Sequence, residues 1–180
     1  TPGIPVVAEE ASAELRQPQQ ASVLATVADL VRGARSDWSA VDAAAVLEWI
    51  DLGGAAAHAG GRYWTLDPID GTKGFLRGEQ YAIALGLVER GQVMAGVLAC
   101  PNLASGTTQK PGIMLVAQRG RGTQWMPLWD ADAPAQACDA AEVVDWPQAR
   151  FCESYESGHA DQGAAAAIAP RLGILLPPVR

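Results

Sequence analysis

Nowhere in the 180 residues does an apolar run approach the roughly 20 residues that a membrane-spanning helix needs, and the Ala164–Ala167 cluster is far too short. Positive charge is scarce as well. Thirteen Lys and Arg stand against 20 Asp and Glu, for a formal net charge of -7, so no basic face draws in a nucleic-acid polymer or an anionic membrane by bulk charge. Cysteine is limited to Cys100, Cys138 and Cys152, with no C-x-x-C spacing, which indicates neither a zinc site nor a disulfide framework. Buried free thiols are the expectation. Of only two histidines, His58 lies in the small-residue loop from Gly53 to Gly61 and is assigned no role. No charged, apolar or Arg/Ser-rich leader precedes the first β-like run, Ile4–Ala8, and the chain opens on Thr1 rather than Met, which reads as an interior cut. The expectation is a soluble, intracellular protein, with cytoplasm, plastid and mitochondrion all left open.

What is present is a core. With 49% hydrophobic residues the chain can bury a sizeable interior, and one domain is the default. Apolar residues at helical spacing predict a helix over Pro18–Gly33 through Val23, Val27, Leu30 and Val31, and a second over Ala40–Leu52 with caps offered by Ser36–Ser39. Arg62–Leu66, Tyr81–Glu89, Gln92–Cys100, Ile113–Gln118 and Gly122–Met126 read as strands. Arg90-Gly91 and Arg119-Gly120-Arg121 are the hairpin turns. Pro127 to Pro147 reads as an irregular connection. A further strand ending on Ser154 and a helix over Asp161–Leu172 complete the helix and strand mixture of an α/β or α+β chain.

The stretch that concentrates chemistry is Trp64-Thr-Leu-Asp-Pro-Ile-Asp-Gly-Thr-Lys-Gly-Phe75. Pro68 fixes φ and removes an N–H, so the preceding strand should end at Asp67. Asp67 and Asp70 can then face one point, with the Ile69 carbonyl between them, a set of oxygens suited to a hard cation such as Mg²⁺. Gly71 allows close backbone approach, and the amides of Gly71 and Thr72 could point at a phosphate with the Thr72 hydroxyl beside the metal. D-P-x-D-G is equally good turn chemistry, and the pattern alone leaves both readings open. Lys73, beside the turn, ranks below the carboxylates. Ala8-Glu9-Glu10 places two adjacent acids at the end of the first strand, either as a solvated turn or as ligands.

Taken as a whole, Trp64–Phe75 resembles the D-P-[IL]-D-G-T-x-x-F signature of the inositol monophosphatase superfamily of metal-dependent phosphatases. The continuations Leu76–Leu85 and Gly96–Leu103 resemble those of 3'(2'),5'-bisphosphate nucleotidases. The resemblance covers most of the chain and thins between Ser105 and Gln148. It implies that Glu9 is a metal ligand with Asp67, Ile69 and Asp70, that Glu10 sits in the outer shell, that Thr72 orients the attacking water, and that Gly71 and Thr72 bind phosphate. Family members usually continue the Glu pair with Asp-Ser where Ala11-Ser12 stand here. The Phe151–His159 stretch resembles the family's E-S-x-E-x-x-H segment, which implies that Gly158 and His159 contact substrate.

The fold implied is a layered α-β-α-β-α sandwich of the inositol monophosphatase and fructose-1,6-bisphosphatase type, incomplete at both ends. It would be a single partial domain, with residues 1–126 binding metal, 127–149 connecting and 150–180 beginning the nucleotide-binding part. The acidic partner of Thr72 and a final metal-binding Asp are expected outside the 180 residues, which leaves this stretch alone without turnover. The implied reaction is Mg²⁺-dependent hydrolysis of adenosine 3',5'-bisphosphate to AMP. An inositol polyphosphate or other sugar phosphate is the alternative substrate, and a truncated, non-catalytic metal-binding product is the alternative role.

Overall fold

The computed structural model describes residues 3–58, 60–104, 110–130, 132–140, 142, 145–154 and 162–179. Two compact units divide the chain, Thr1–Cys138 and Asp139–Arg180, and the boundary falls inside the 127–149 connection.

The first unit is built on a seven-stranded sheet in sequential order: β1 (Val6–Ala8), β2 (Arg62–Asp70), β3 (Ala82–Glu89), β4 (Gln92–Cys100), β5 (Ile113–Gln118), β6 (Gly122–Pro127) and β7 (Gln136–Cys138). β1 runs parallel to β2 and every other neighbouring pair is antiparallel. The parallel pair needs a long crossover, which the two helices between β1 and β2 provide. β3–β4 and β5–β6 are joined by tight turns, and in the first Arg90 and Gly91 are both at positive φ (51° and 74°), the geometry that matches strand twist in a two-residue hairpin. The mixed sheet with its helices gives the α+β class that the sequence implied.

Helix α1 (Ala21–Ala34) follows a 3-10 turn at Pro18–Gln20 and packs on α2 (Ala43–Asp51) and on the 3-10 turn Ser36–Trp38. Its buried residue is Ala28, whereas Val23 and Leu30, expected in the core, are exposed. A small side chain lets the backbones approach, and the contact stripe on α1 is therefore narrower than its apolar sequence suggests. The cap of α2 is Asp42, whose carboxylate accepts from the Ala45 N–H at 2.8 Å, rather than any of Ser36–Ser39. Residues 36–38 are instead a turn of their own, in which Trp38 meets Trp49 edge-on at 5.5 Å and carries Arg35 over its ring at 5.0 Å.

β1 does not form the open edge of the sheet. The chain leaving α2 runs along its other side, with the Ala8 N–H donating to the Gly53 carbonyl at 2.8 Å and the Ala55 N–H donating to Val6 at 3.2 Å. β7 is a strand within the stretch read as irregular. It is three residues long with no apolar alternation, and its place comes from pairing with Thr123–Trp125.

In the second unit Cys152 forms a single parallel bridge with Val179, in place of the expected strand ending on Ser154. Helix α4 (Gln162–Ile168) passes into a 3-10 turn, Ala169–Leu172, where Pro170 cannot continue α-helical bonding. All three cysteines are free. Cys100 is buried as expected, but Cys138 is half-buried and Cys152 exposed.

Candidate active site

β2 does not stop at Asp67. The strand runs to Asp70 with its register shifted between these two residues, so that Asp67 lies opposite Ala84 and Asp70 opposite Ala82. Three steps on β2 thus face two on β3. Pro68 has no N–H to give the ladder, and a bulge, which leaves a residue unpaired without ending the strand, accommodates it. The consequence is chemical. Residues three apart on a regular strand point to opposite faces, but Ala82 and Ala84 share a face, so the residues opposite them share it too. The extra residue places both carboxylates on one side of the sheet. Asp67 is further fixed by its own turn, its Oδ1 accepting from the Ile69 N–H at 3.1 Å.

Glu9 arrives on the same side by a different route. β1 pairs with β2 as Val7 to Thr65 and Ala8 to Leu66, so the next position in register brings Glu9 alongside Asp67. The charge of Asp67, followed by those of Glu10 and Asp70, raises the Glu9 pKa above the ordinary glutamate value. Asp70 is the weakest of these influences. Among the described residues no three acidic, His or Cys side chains stand in a ready-made coordination shell. The arrangement is a close Glu9–Asp67 pair with Asp70 set apart on the same face. Its donors are hard oxygens only, and every charge acting on Glu9 is negative. Such a set fits a divalent cation.

Beyond Asp70, Gly71 adopts φ 85°, a left-handed conformation that a side chain would strain, and opens the five-residue helix α3 (Thr72–Leu76). The Thr72 hydroxyl donates to the Ile69 carbonyl at 3.2 Å, which binds two of the anticipated site atoms to each other. Lys73 is exposed. Glu10, whose charge acts on Glu9 second only to that of Asp67, also lines an open, mostly apolar cleft of about 320 Å³ with Trp49, Ile50, Leu66 and Pro68. Gly158 and His159 lie outside the described residues.

Two features near the site carried no local signal in the sequence. The Asn102 side-chain amide donates to the Glu79 carbonyl at 2.6 Å while the Gln80 amide donates to the Asn102 carbonyl at 2.9 Å, tying the segment after α3 to the turn after β4. Cys100 is the other, its thiol pKa pushed up first by burial and then by the charge of Asp70. Both depend on contacts more than 20 residues apart in sequence, which spacing alone does not reveal.

Comparison with known proteins places the sequence in a family. The chain is 38% identical over 190 residues to 3'(2'),5'-bisphosphate nucleotidase 1 of Arabidopsis thaliana, covering 97% of this chain and 54% of that protein. It is 40% identical over 201 residues to the 3'(2'),5'-bisphosphate nucleotidase of Emericella nidulans, covering 99% and 57%. The solved structure of Mycobacterium tuberculosis SuhB aligns at a TM-score of 0.45 and 24% identity, over 96% of this chain and 70% of that one. The chain spans about half the length of the curated relatives it matches. Residues 48–172, from within α2 through the bulged strand and its carboxylates to the last 3-10 turn, match the model of one family, and on that match the chain belongs to the inositol monophosphatase family.

Proposed function

We propose that the protein containing this chain hydrolyses a phosphomonoester of a nucleotide bisphosphate, converting adenosine 3',5'-bisphosphate to AMP and phosphate. The observation that carries the reading is the Glu9–Asp67 carboxylate pair, held on one sheet face with Asp70 by the bulge at Pro68. Like charges brought this close raise the energy of the metal-free site, and a cation relieves it. The names of the relatives supply the substrate class, and the family's members are generally metal-dependent.

In this reading Glu9, Asp67, Asp70 and the Ile69 carbonyl hold Mg²⁺, and Glu10 acts from the outer shell. When bound, the metal supplies Lewis acidity to the phosphoryl oxygens and lowers the pKa of coordinated water. The chain's own groups do the positioning. Because the Thr72 hydroxyl donates its hydrogen bond to the Ile69 carbonyl, its lone pairs are left to accept from the attacking water and orient it. Gly71, in its left-handed conformation, turns the following amides toward the phosphate, and Gly158 and His159 contact the nucleotide. The water oxygen forms the new P–O bond, the bond from phosphorus to the 3'-oxygen breaks, and that oxygen leaves as the protonated hydroxyl.

The test is phosphate release by the protein containing this chain from adenosine 3',5'-bisphosphate, inositol 1-phosphate and fructose 1,6-bisphosphate, with Mg²⁺ and with a chelator. The nucleotide should give the highest kcat/KM, and chelation should abolish release. A preference for a sugar phosphate would overturn the substrate, and turnover indifferent to chelation would overturn the site.

A further inference from the structure

Glu9 and Glu10 occupy a three-residue span between two anchors, and both anchors lead to the end of one helix. On one side, Ala8 donates its N–H to the Gly53 carbonyl at 2.8 Å, and the fit is so close that a Cβ on Gly53 would stand 2.6 Å from the Ala8 Cβ. On the other, the Ser12 N–H donates to Asp51 Oδ1 at 3.3 Å. Ser12 is the most deeply buried polar residue described, at 1% exposure, although serine is ordinarily a surface residue. Its hydroxyl accepts from Arg16 Nε at 2.8 Å, and Arg16 Nη2 closes the ring on Asp51 Oδ2 at 2.5 Å. Asp51 thus reaches Ser12 and Arg16 across 39 and 35 positions of sequence.

A span held at both ends has a reason to be held. The register of β1 on β2 sets two like charges, Glu9 and Asp67, side by side, and their mutual approach gives the span nothing that would hold Glu9 there without its anchors. Surface ion pairs contribute little on their own, and Arg16 and Asp51 are each nearly half exposed. The pair is therefore a poor explanation of fold stability. It is a better explanation of position, since its hydrogen bonds converge on the buried serine that ends the acidic span.

We propose that Ser12, Arg16 and Asp51 form a positioning lock that holds Glu9 against Asp67 before metal binds. The proposal rests on the reading of Glu9 as a metal ligand. None of the three residues touches substrate or the reacting atoms, and their effect reaches metal only through Glu9. Outer-shell partners that orient a ligand are worth about 10-fold or more in metal affinity, and the lock should be of that size.

The experiment is calorimetric titration of Mg²⁺ into the protein containing this chain and into its Glu9→Gln, Asp51→Ala, Asp51→Asn and Arg16→Gln variants, with amide hydrogen exchange over residues 9–12 in the metal-free state. Asp51→Ala should weaken Mg²⁺ about 10-fold and speed exchange at Glu10 and Ala11, and Asp51→Asn, which keeps an acceptor for the Ser12 N–H, should recover part of both. Arg16→Gln, which leaves Ser12 and Asp51 in place, serves if Asp51→Ala does not fold, and should weaken Mg²⁺ in the same direction. If Glu9→Gln loses Mg²⁺ affinity while the Asp51 and Arg16 variants keep the parent's, the lock is wrong and the ligand reading stands. If Glu9→Gln itself binds as the parent does, the ligand reading fails and takes the lock with it.

Discussion

At the scale of single residues the site is an electrostatic conflict resolved by geometry. Asp67 is the residue on which the others converge: its charge acts most strongly on Glu9, and its own turn fixes its carboxylate. Replacing it by Asn keeps the shape and the acceptor oxygen but removes the charge. In the protein containing this chain, Asp67→Asn should lower turnover by several orders of magnitude while circular dichroism and the melting temperature stay near the parent's. Activity restored by excess Mg²⁺ would contradict its role. A second residue prediction concerns acid. Hydrogen bonds from Ser12 and then Arg16 hold the Asp51 carboxyl below its ordinary value of 3.8, so the folded state prefers the charged form. That contribution to stability is complete above the unfolded value and lost as pH falls through the lower, folded one. Glu9 has the opposite sign, because its raised pKa is a penalty present at neutral pH and relieved by protonation. Because the pair is exposed and screened, the urea midpoint of Asp51→Asn should lie only slightly below the parent's at neutral pH and converge on it below the aspartate range. A gap that stays constant would show that Asp51 contributes no charge-dependent stability. Asp67, Asp70 and Thr72 were readable because they lie within six residues of each other, and Ser12, Arg16 and Asp51 were not because only the folded chain brings them together.

At the scale of elements, one bulge does most to make the site. The sequence placed a strand before Pro68 and correctly foresaw that proline could not join the ladder, but ended the strand there. The sheet instead absorbs the missing N–H over two residues and resumes at Asp70, which a local rule about proline cannot anticipate because β3 supplies the continuing partner. Hairpins were legible for the converse reason: Arg90-Gly91 sits between two apolar runs, and the turn chemistry is wholly local. The short helix after Gly71 tests the element directly. Gly71→Ala forces an L side chain to φ 85°, with the backbone of Tyr81 and Gln80 at 3.6 Å, so the cost in urea unfolding should be about 1–2 kcal/mol. An unchanged midpoint would mean that the turn relaxes to another conformation and that α3 is not anchored by it.

At the scale of the whole molecule, the fold class and family were legible while the extent of the core was not. Composition promised a sizeable interior, yet Leu30, Leu52, Leu76, Val93 and Leu175 are all more than half exposed. Apolar periodicity shows which face a helix would bury, not whether anything is present to bury it. An exposed apolar surface of this kind favours association. The 180-residue chain should bind a hydrophobic dye and sediment as a concentration-dependent mixture, and ideal monomer sedimentation without dye binding would contradict that expectation. The account as a whole depends on a cation settling between Glu9 and Asp67. The most direct measurement is anomalous diffraction from crystals of the protein containing this chain soaked in Mn²⁺, a hard-cation substitute for Mg²⁺. The account predicts a peak within coordination distance of the Glu9 and Asp67 carboxylates and the Ile69 carbonyl, and a peak that avoids Glu9 and Asp67 at saturating Mn²⁺ would contradict it.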